Sequence, residues 1–274
     1  MDFLIVNGEV IATNSFKRAP FCQNSFTLCK KTWFGYGGIP LLNENVDNLL
    51  QLIDELGLPV PAILENKREL HRIVKRMLNK NKFYRSGLIR FEIFWENNTA
   101  HCVITSQSFL HFDFALNEQG TLVNFSRHKI LSANHFNRYA FYHSTNWQIS
   151  AMDLTNSKFK NSIILNEKDG VCECINSNIF MIKGKTLITP SLLSGCFESS
   201  IRTPILKLAG ELGLKVHEQT FIKTGELQEM DEIFLAGEET GFQWLIGIEN
   251  KRYIHQYIDV LHKEFNDKLK GKAI

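Results

Sequence analysis

Within Asn161–Arg202 of this 274-residue chain, the segment NSIILNEKDGVCECINSNIFMIKGKTLITPSLLSGCFESSIR holds a carboxylate flanked by two thiols and, further on, a run of side chains suited to a helix start. Cys172 and Cys174 form a C-x-C pair around Glu173, which raises metal binding as a possibility. No second Cys or His pair follows at zinc-like spacing, and His128 and His135 have no partners at metal spacing, so no metal is expected. On a strand the two thiols would face one side and Glu173 the other, which reads as two small core side chains opposite one acid. Glu198, Ser199 and Ser200 are natural cap and first-turn residues for a helix that opens at Ile201 and carries Ile205, Leu206, Leu208 and Ala209 on one side. The start of such a helix is an anion site, because its backbone N–H groups lack partners within the helix.

The elements that must hold these groups can be read from patterning. Ser162–Leu165, Val171–Cys174, Ile179–Ile182 and Thr186–Ile188 are short apolar strands, with a polar turn at 166–170 and a hairpin turn at Lys183-Gly184-Lys185. Upstream, Asn7-Gly8 turns a hairpin over Phe3–Ala12, and Ser25–Trp33 is a further strand. Glu44–Leu56 and Pro61–Asn81 carry apolar residues at helical spacing. Gly87–Trp95, His101–Ser106 and Leu122–Phe125 are strands, so the first half is α+β with an antiparallel sheet. A helix is predicted over Trp147–Leu154, in a region rich in Asn, His, Phe and Tyr where a domain boundary is expected, giving domains 1–126 and 127–274. Beyond the central segment come strands over Leu214–Thr220, Asp231–Leu235 and Phe242–Ile248, the last two antiparallel, and a closing helix over Tyr257–Leu269.

Composition narrows the function classes. Lys and Arg number 31 against 29 Asp and Glu, a net charge of +2, and 44% of residues are hydrophobic. That balance, with no basic tract carrying interleaved aromatics, argues against nucleic acid and against an anionic membrane surface. The N-terminal sequence lacks the features of a secretory signal and no apolar run reaches membrane-spanning length, so a soluble cytoplasmic protein is expected, with its six cysteines as free thiols.

Two motifs point to a family. DGVCECINSNIF is similar to a signature of glycine, hydrophobic residue, glutamate and "sNiF", and LITPSLLSGCFESSIR is similar to a "TP" followed by a phosphate-binding helix start. On these the chain resembles the fold-type-IV pyridoxal-phosphate enzymes, which include branched-chain and D-amino-acid aminotransferases and aminodeoxychorismate lyase. The resemblance implies a smaller N-terminal antiparallel-sheet domain, a larger C-terminal mixed, β-barrel-like domain with helices, and a homodimer with its site at the junction of two domains. It implies pyridoxal phosphate as cofactor, with Glu173 at the pyridine nitrogen.

Other positions depart from the family pattern. The lysine that forms the Schiff base is matched by His143, in Tyr142-His143-Ser144-Thr145-Asn146, and an imidazole cannot form an internal aldimine. Lys129 is the fallback lysine. The Arg, Gly and Thr that converge on the phosphate are matched by Asn48, Ser199 and Glu238, beside Ser200 and Ile201 at the helix start, and Glu238 would repel a phosphate dianion. The strand "yGDgvFE" is replaced by Cys22-Gln23-Asn24-Ser25-Phe26-Thr27. His143 is either a general base paired with Glu173 or Glu238, or a buried histidine among Tyr139, Phe141, Tyr142 and Trp147. The expectation is a diverged homologue with a remodelled site that binds a small molecule or a partner. The alternative is an active aminotransferase or lyase.

Overall fold

The computed structural model describes residues 2–16, 27–96 and 98–273. The chain forms two compact units, one of Met1–Phe114 with Leu269–Ile274 and the other of Ala115–Lys268. The replaced strand motif at Cys22–Phe26 lies outside the described residues, as does the first part of the strand expected over Ser25–Trp33.

In the first unit, β1 (Phe3–Val6), β2 (Glu9–Ala12), β3 (Thr27–Phe34), β4 (Gly87–Glu96) and β5 (Thr99–Ser108) form an antiparallel sheet of order β2-β1-β5-β4-β3. The β1–β2 turn needs left-handed backbone at both central positions, which Asn7 (φ 47) and Gly8 (φ 93) supply. Helices α1 (Leu42–Glu55), α2 (Ala62–Glu65) and α3 (Lys67–Lys80) complete the unit. The single helix predicted over Pro61–Asn81 is thus two. Asn66 breaks it with extended backbone, and its side chain accepts the Glu69 N–H at 3.0 Å, giving α3 an N-cap that competes with a continuous helix.

The second unit carries β6 (Leu116–Ile130), α4 (Ala140–Met152), β7 (Asn161–Asn166), β8 (Val171–Cys174), β9 (Asn178–Lys183), β10 (Thr186–Pro190), α5 (Arg202–Glu211), β11 (Lys215–Gln219), β12 (Glu232–Gly237), β13 (Gly241–Ile248), β14 (Lys251–Arg252) and α6 (Gln256–Ala273), whose last residues belong to the first unit. Its sheet runs β11-β10-β9-β12-β13-β6-β7-β8, with β14 on β13. Pairing is mixed, with β6 parallel to both β7 and β13. A bridge between Cys174 and Ser177 brings the end of β8 back to the start of β9, so the sheet curls into a half-barrel. Its core packs Val123, Ile163, Val171, Ile179, Met181 and Leu235.

Two expectations shift here. The short strand predicted at Leu122–Phe125 is the middle of the 15-residue β6, whose register slips against both neighbours blur its alternation. A boundary at 126 would cut that strand, and the units divide between Phe114 and Ala115 instead, because β6 pairs only within the second unit. The helix predicted over Trp147–Leu154 starts earlier, at Ala140, because its first turns carry His143 and Trp147 inward on a polar-looking stretch.

Glu232, at the start of β12, is buried, and its carboxylate accepts the N–H groups of Tyr257 at 2.9 Å and Ile258 at 3.2 Å, capping α6 from another element. Glu232→Ala is expected to lower unfolding stability by about 2 kcal/mol in urea titration, and an unchanged midpoint would remove this cap from the account.

Candidate active site

β8 does not alternate simply. Ile164 pairs with Glu173 and Leu165 with Val171, leaving Cys172 as an extra residue. The bulge places Val171 and Cys174 in the barrel core and turns Cys172 toward Trp147, Cys196 and Phe197, where Glu173 also points. The two thiols therefore do not share a side, as plain alternation had implied. Cys172 donates to the Ser194 carbonyl at 3.0 Å, and burial pushes its thiol pKa up; burial likewise pushes Cys196 to about 12. Both are neutral core groups, and the described cysteines are free.

Glu173 is fully buried. An ionised carboxylate in such a place is costly unless donors surround it. Trp147 Nε1–H donates to Oε1 at 2.6 Å, and the Phe197 backbone N–H donates to Oε2 at 2.9 Å. His143, also with 0% exposure, brings Nδ1 to 3.0 Å from Oε1, an ion-pair contact outside good hydrogen-bond alignment. Its other nitrogen, Nε2–H, donates to the Asn137 carbonyl at 2.6 Å. The spacing of four residues puts His143 and Trp147 on one face of α4, with ring centroids 5.6 Å apart and planes 27° apart. Burial alone lowers the imidazole pKa, but the Glu173 carboxylate and the Asn137 carbonyl outweigh it and hold His143 above its ordinary value.

A second cluster lies along residues 197–202. Asn178, at the start of β9, donates to the Phe197 carbonyl at 2.7 Å and accepts the Ser199 hydroxyl at 2.6 Å. Glu198 pairs with Arg138 at 2.8 Å. Glu238, the residue after β12, accepts the Ser200 N–H at 3.2 Å and also the Ser200 hydroxyl through the same oxygen. The preceding Gly237 is required: a Cβ there would lie 2.3 Å from the Asn176 carbonyl oxygen. Ile201 is buried as the N-terminal neighbour of α5. Arg202 turns away from Ser200, donating to the Pro190 carbonyl at 2.8 Å and to Glu218 at 2.6 Å.

Of the residues singled out in the sequence, Glu173 and His143 meet, and Ser200 meets Glu238. Ser199 joins the same helix start through Asn178. Lys129 does not join them: it is exposed on β6 and pairs with Asp169 at 2.7 Å. Asn48 belongs to α1 of the first unit, where Lys30 Nζ donates to its Oδ1 at 3.2 Å. Sequence reasoning placed Trp147 near His143 but missed its bond to Glu173, and it missed Phe197 and Asn137 as partners. The i,i+4 spacing of Trp147 from His143 was the one available signal. Among the described residues no group of His, Cys, Asp and Glu is arranged to hold a metal, and no helix is long and apolar enough to cross a membrane.

A raised folded-state pKa for His143 means its contribution is complete below the unfolded value of about 6.5 and fades as pH climbs through the folded value. The urea midpoint is expected to fall across that rise, and ring ¹⁵N shifts of His143 followed against pH to show the second nitrogen losing its proton at a higher pH in the folded than in the unfolded chain; a folded transition at or below the unfolded one would refute the raised pKa. Trp147→Phe removes a donor from a buried charge and is expected to cost about 2 kcal/mol, read from the same urea titration, with no loss expected if that hydrogen bond is absent.

Residues 33–243 match the family model for class IV amino-transferases. A probable branched-chain-amino-acid aminotransferase of Rickettsia felis is 26% identical over 251 residues, 84% of this chain and 81% of that protein. Matches to two other such proteins span only 33% and 29% of their length. The crystal structure of a branched-chain aminotransferase from Thermoproteus uzoniensis, with norvaline, superposes with a TM-score of 0.84 at 20% identity, covering 99% of this chain and 95% of that one. That of the branched-chain amino acid aminotransferase from Thermobaculum terrenum, in its PLP-form, gives a TM-score of 0.83 at 18% identity, covering 99% of this chain and 94% of that one. At these identities the structural likeness speaks for the fold, and the family-model match extends over most of the sequence. The chain belongs to the class IV amino-transferase family.

Proposed function

We propose that this chain uses the class IV aminotransferase fold to bind a small molecule without Schiff-base chemistry. The observation that carries the proposal is His143, matched to the family's lysine and seated against Glu173. Pyridoxal phosphate held as an aldimine needs an amine, an acid free to meet its ring nitrogen, and an open anion site for its phosphate. The residues present do not fit that demand. Both oxygens of Glu173 accept protein N–H groups, and the Ser200 donors are taken by Glu238. The fallback amine, Lys129, is engaged with Asp169 at the surface. The resemblance further supports a homodimer as the working form.

A second reading is an active pyridoxal-phosphate-dependent aminotransferase or aminodeoxychorismate lyase, and the name and long match of the Rickettsia felis protein favour the aminotransferase. The two readings part on one measurement. Purified protein is incubated with pyridoxal phosphate, its spectrum is recorded, and borohydride is added before peptide mapping. No aldimine band and no adduct on any single lysine are expected, whereas a reduced adduct confined to one lysine would overturn the proposal in favour of transamination or lyase chemistry.

A further inference from the structure

We infer that His143 and Glu238 are resident substitutes for the two charged ends of the family's cofactor, and that this site consequently rejects phosphate esters. At one end, an acid that would meet a protonated ring nitrogen meets the Nδ1 of His143 at 3.0 Å, with both residues fully buried. At the other, a helix start that would meet a phosphate meets a carboxylate. Glu238 takes both the N–H and the hydroxyl of Ser200, while Asn178 takes the hydroxyl of Ser199. The start of α5 carries the partial positive charge that favours an anion, and Glu238 supplies that anion from the chain itself.

The two ends are tied together by one short segment. Phe197 gives its N–H to Glu173 and its carbonyl to Asn178, and Ser199 and Ser200 follow directly. Gly237 fixes the approach of Glu238, since its backbone lies too close to Asn176 for any side chain to intervene. A phosphate brought to Ser200 would therefore have to displace a carboxylate from its donors or sit against it, and adjacent like charges repel.

Rejection of phosphate rests on the reading of a site without an aldimine, so the test avoids covalent chemistry. Pyridoxine 5′-phosphate, which has no aldehyde, and inorganic phosphate are titrated calorimetrically into wild-type protein, Glu238→Thr and Glu238→Gln. Wild type is expected to bind neither at millimolar concentration, and Glu238→Thr to bind both at least tenfold more tightly. Glu238→Gln keeps an acceptor for Ser200 without the charge and is expected to gain as well, which covers the case of a poorly folding threonine variant. Adding His143→Ala to either variant is expected to raise affinity for pyridoxine 5′-phosphate and not for inorganic phosphate. Wild-type binding as tight as that of the Glu238 variants, or no gain in any variant, overturns the inference. A lysine adduct with pyridoxal phosphate would instead sink the underlying reading, so the two failures are distinguishable.

Discussion

The second unit depends on how a fully buried carboxyl group finds its hydrogen-bond partners. Glu173 sits where water cannot reach it, so its oxygens have to be met by donors from the protein, and two separate elements supply them: α4 through Trp147, with His143 close beside it, and the loop before α5 through Phe197. Each donor also fixes the element that carries it. α4 lacks a clear apolar stripe, and what orients it is this polar contact together with the stack of His143 on Trp147 and the edge of Trp147 on Phe197, centroids 4.8 Å apart. The carboxylate thus acts as a hub for packing as much as for chemistry.

A backbone irregularity brings a thiol to the hub. Without the extra residue at Cys172, the alternation of β8 would send Glu173 to the side opposite Cys172. The bulge instead turns neighbouring residues to the same cluster, so that a small neutral thiol fills the space beside the acid. Buried polar networks of this kind are tolerable only when nearly every member is satisfied. The cost of failure is visible in the groups spent on satisfying this one, with the Asn137 carbonyl holding His143 and the Asn178 side chain holding the Phe197 carbonyl and the Ser199 hydroxyl on either side of Glu198.

How much of this could be read in the sequence follows physical lines. The hairpin at Asn7-Gly8, the antiparallel strands and the amphipathic α1 were legible because local turn chemistry and periodicity decide them. The start of α4 was not, because the residues that face inward there are His143 and Trp147, whose burial is set by a partner on β8 and leaves no apolar stripe. β6 was legible only in part, since a strand that changes partners along its length carries two patterns at once. The acid at 173 and the histidine at 143 were found by likeness to a family, and their pairing was among the readings open for His143; the donors Trp147 and Phe197 reach the same acid from separate elements, which no spacing announces. Lys129 illustrates the converse: as a nearby lysine it was a reasonable fallback, and its exposed pairing with Asp169 is a matter of strand register.

β12 has a property that its ends make plain. The strand is apolar from Ile233 to Ala236, yet Glu232 at its beginning gives its carboxylate to the first N–H groups of α6, and Glu238 just past its end gives its own to the N–H and hydroxyl of Ser200, just before α5. A slip of one residue in this strand would turn every side chain to the opposite face and pull both carboxylates off their helices together. The alignment of β12 is therefore checked at two points, since a misregistered strand would leave both helix approaches without their acceptors.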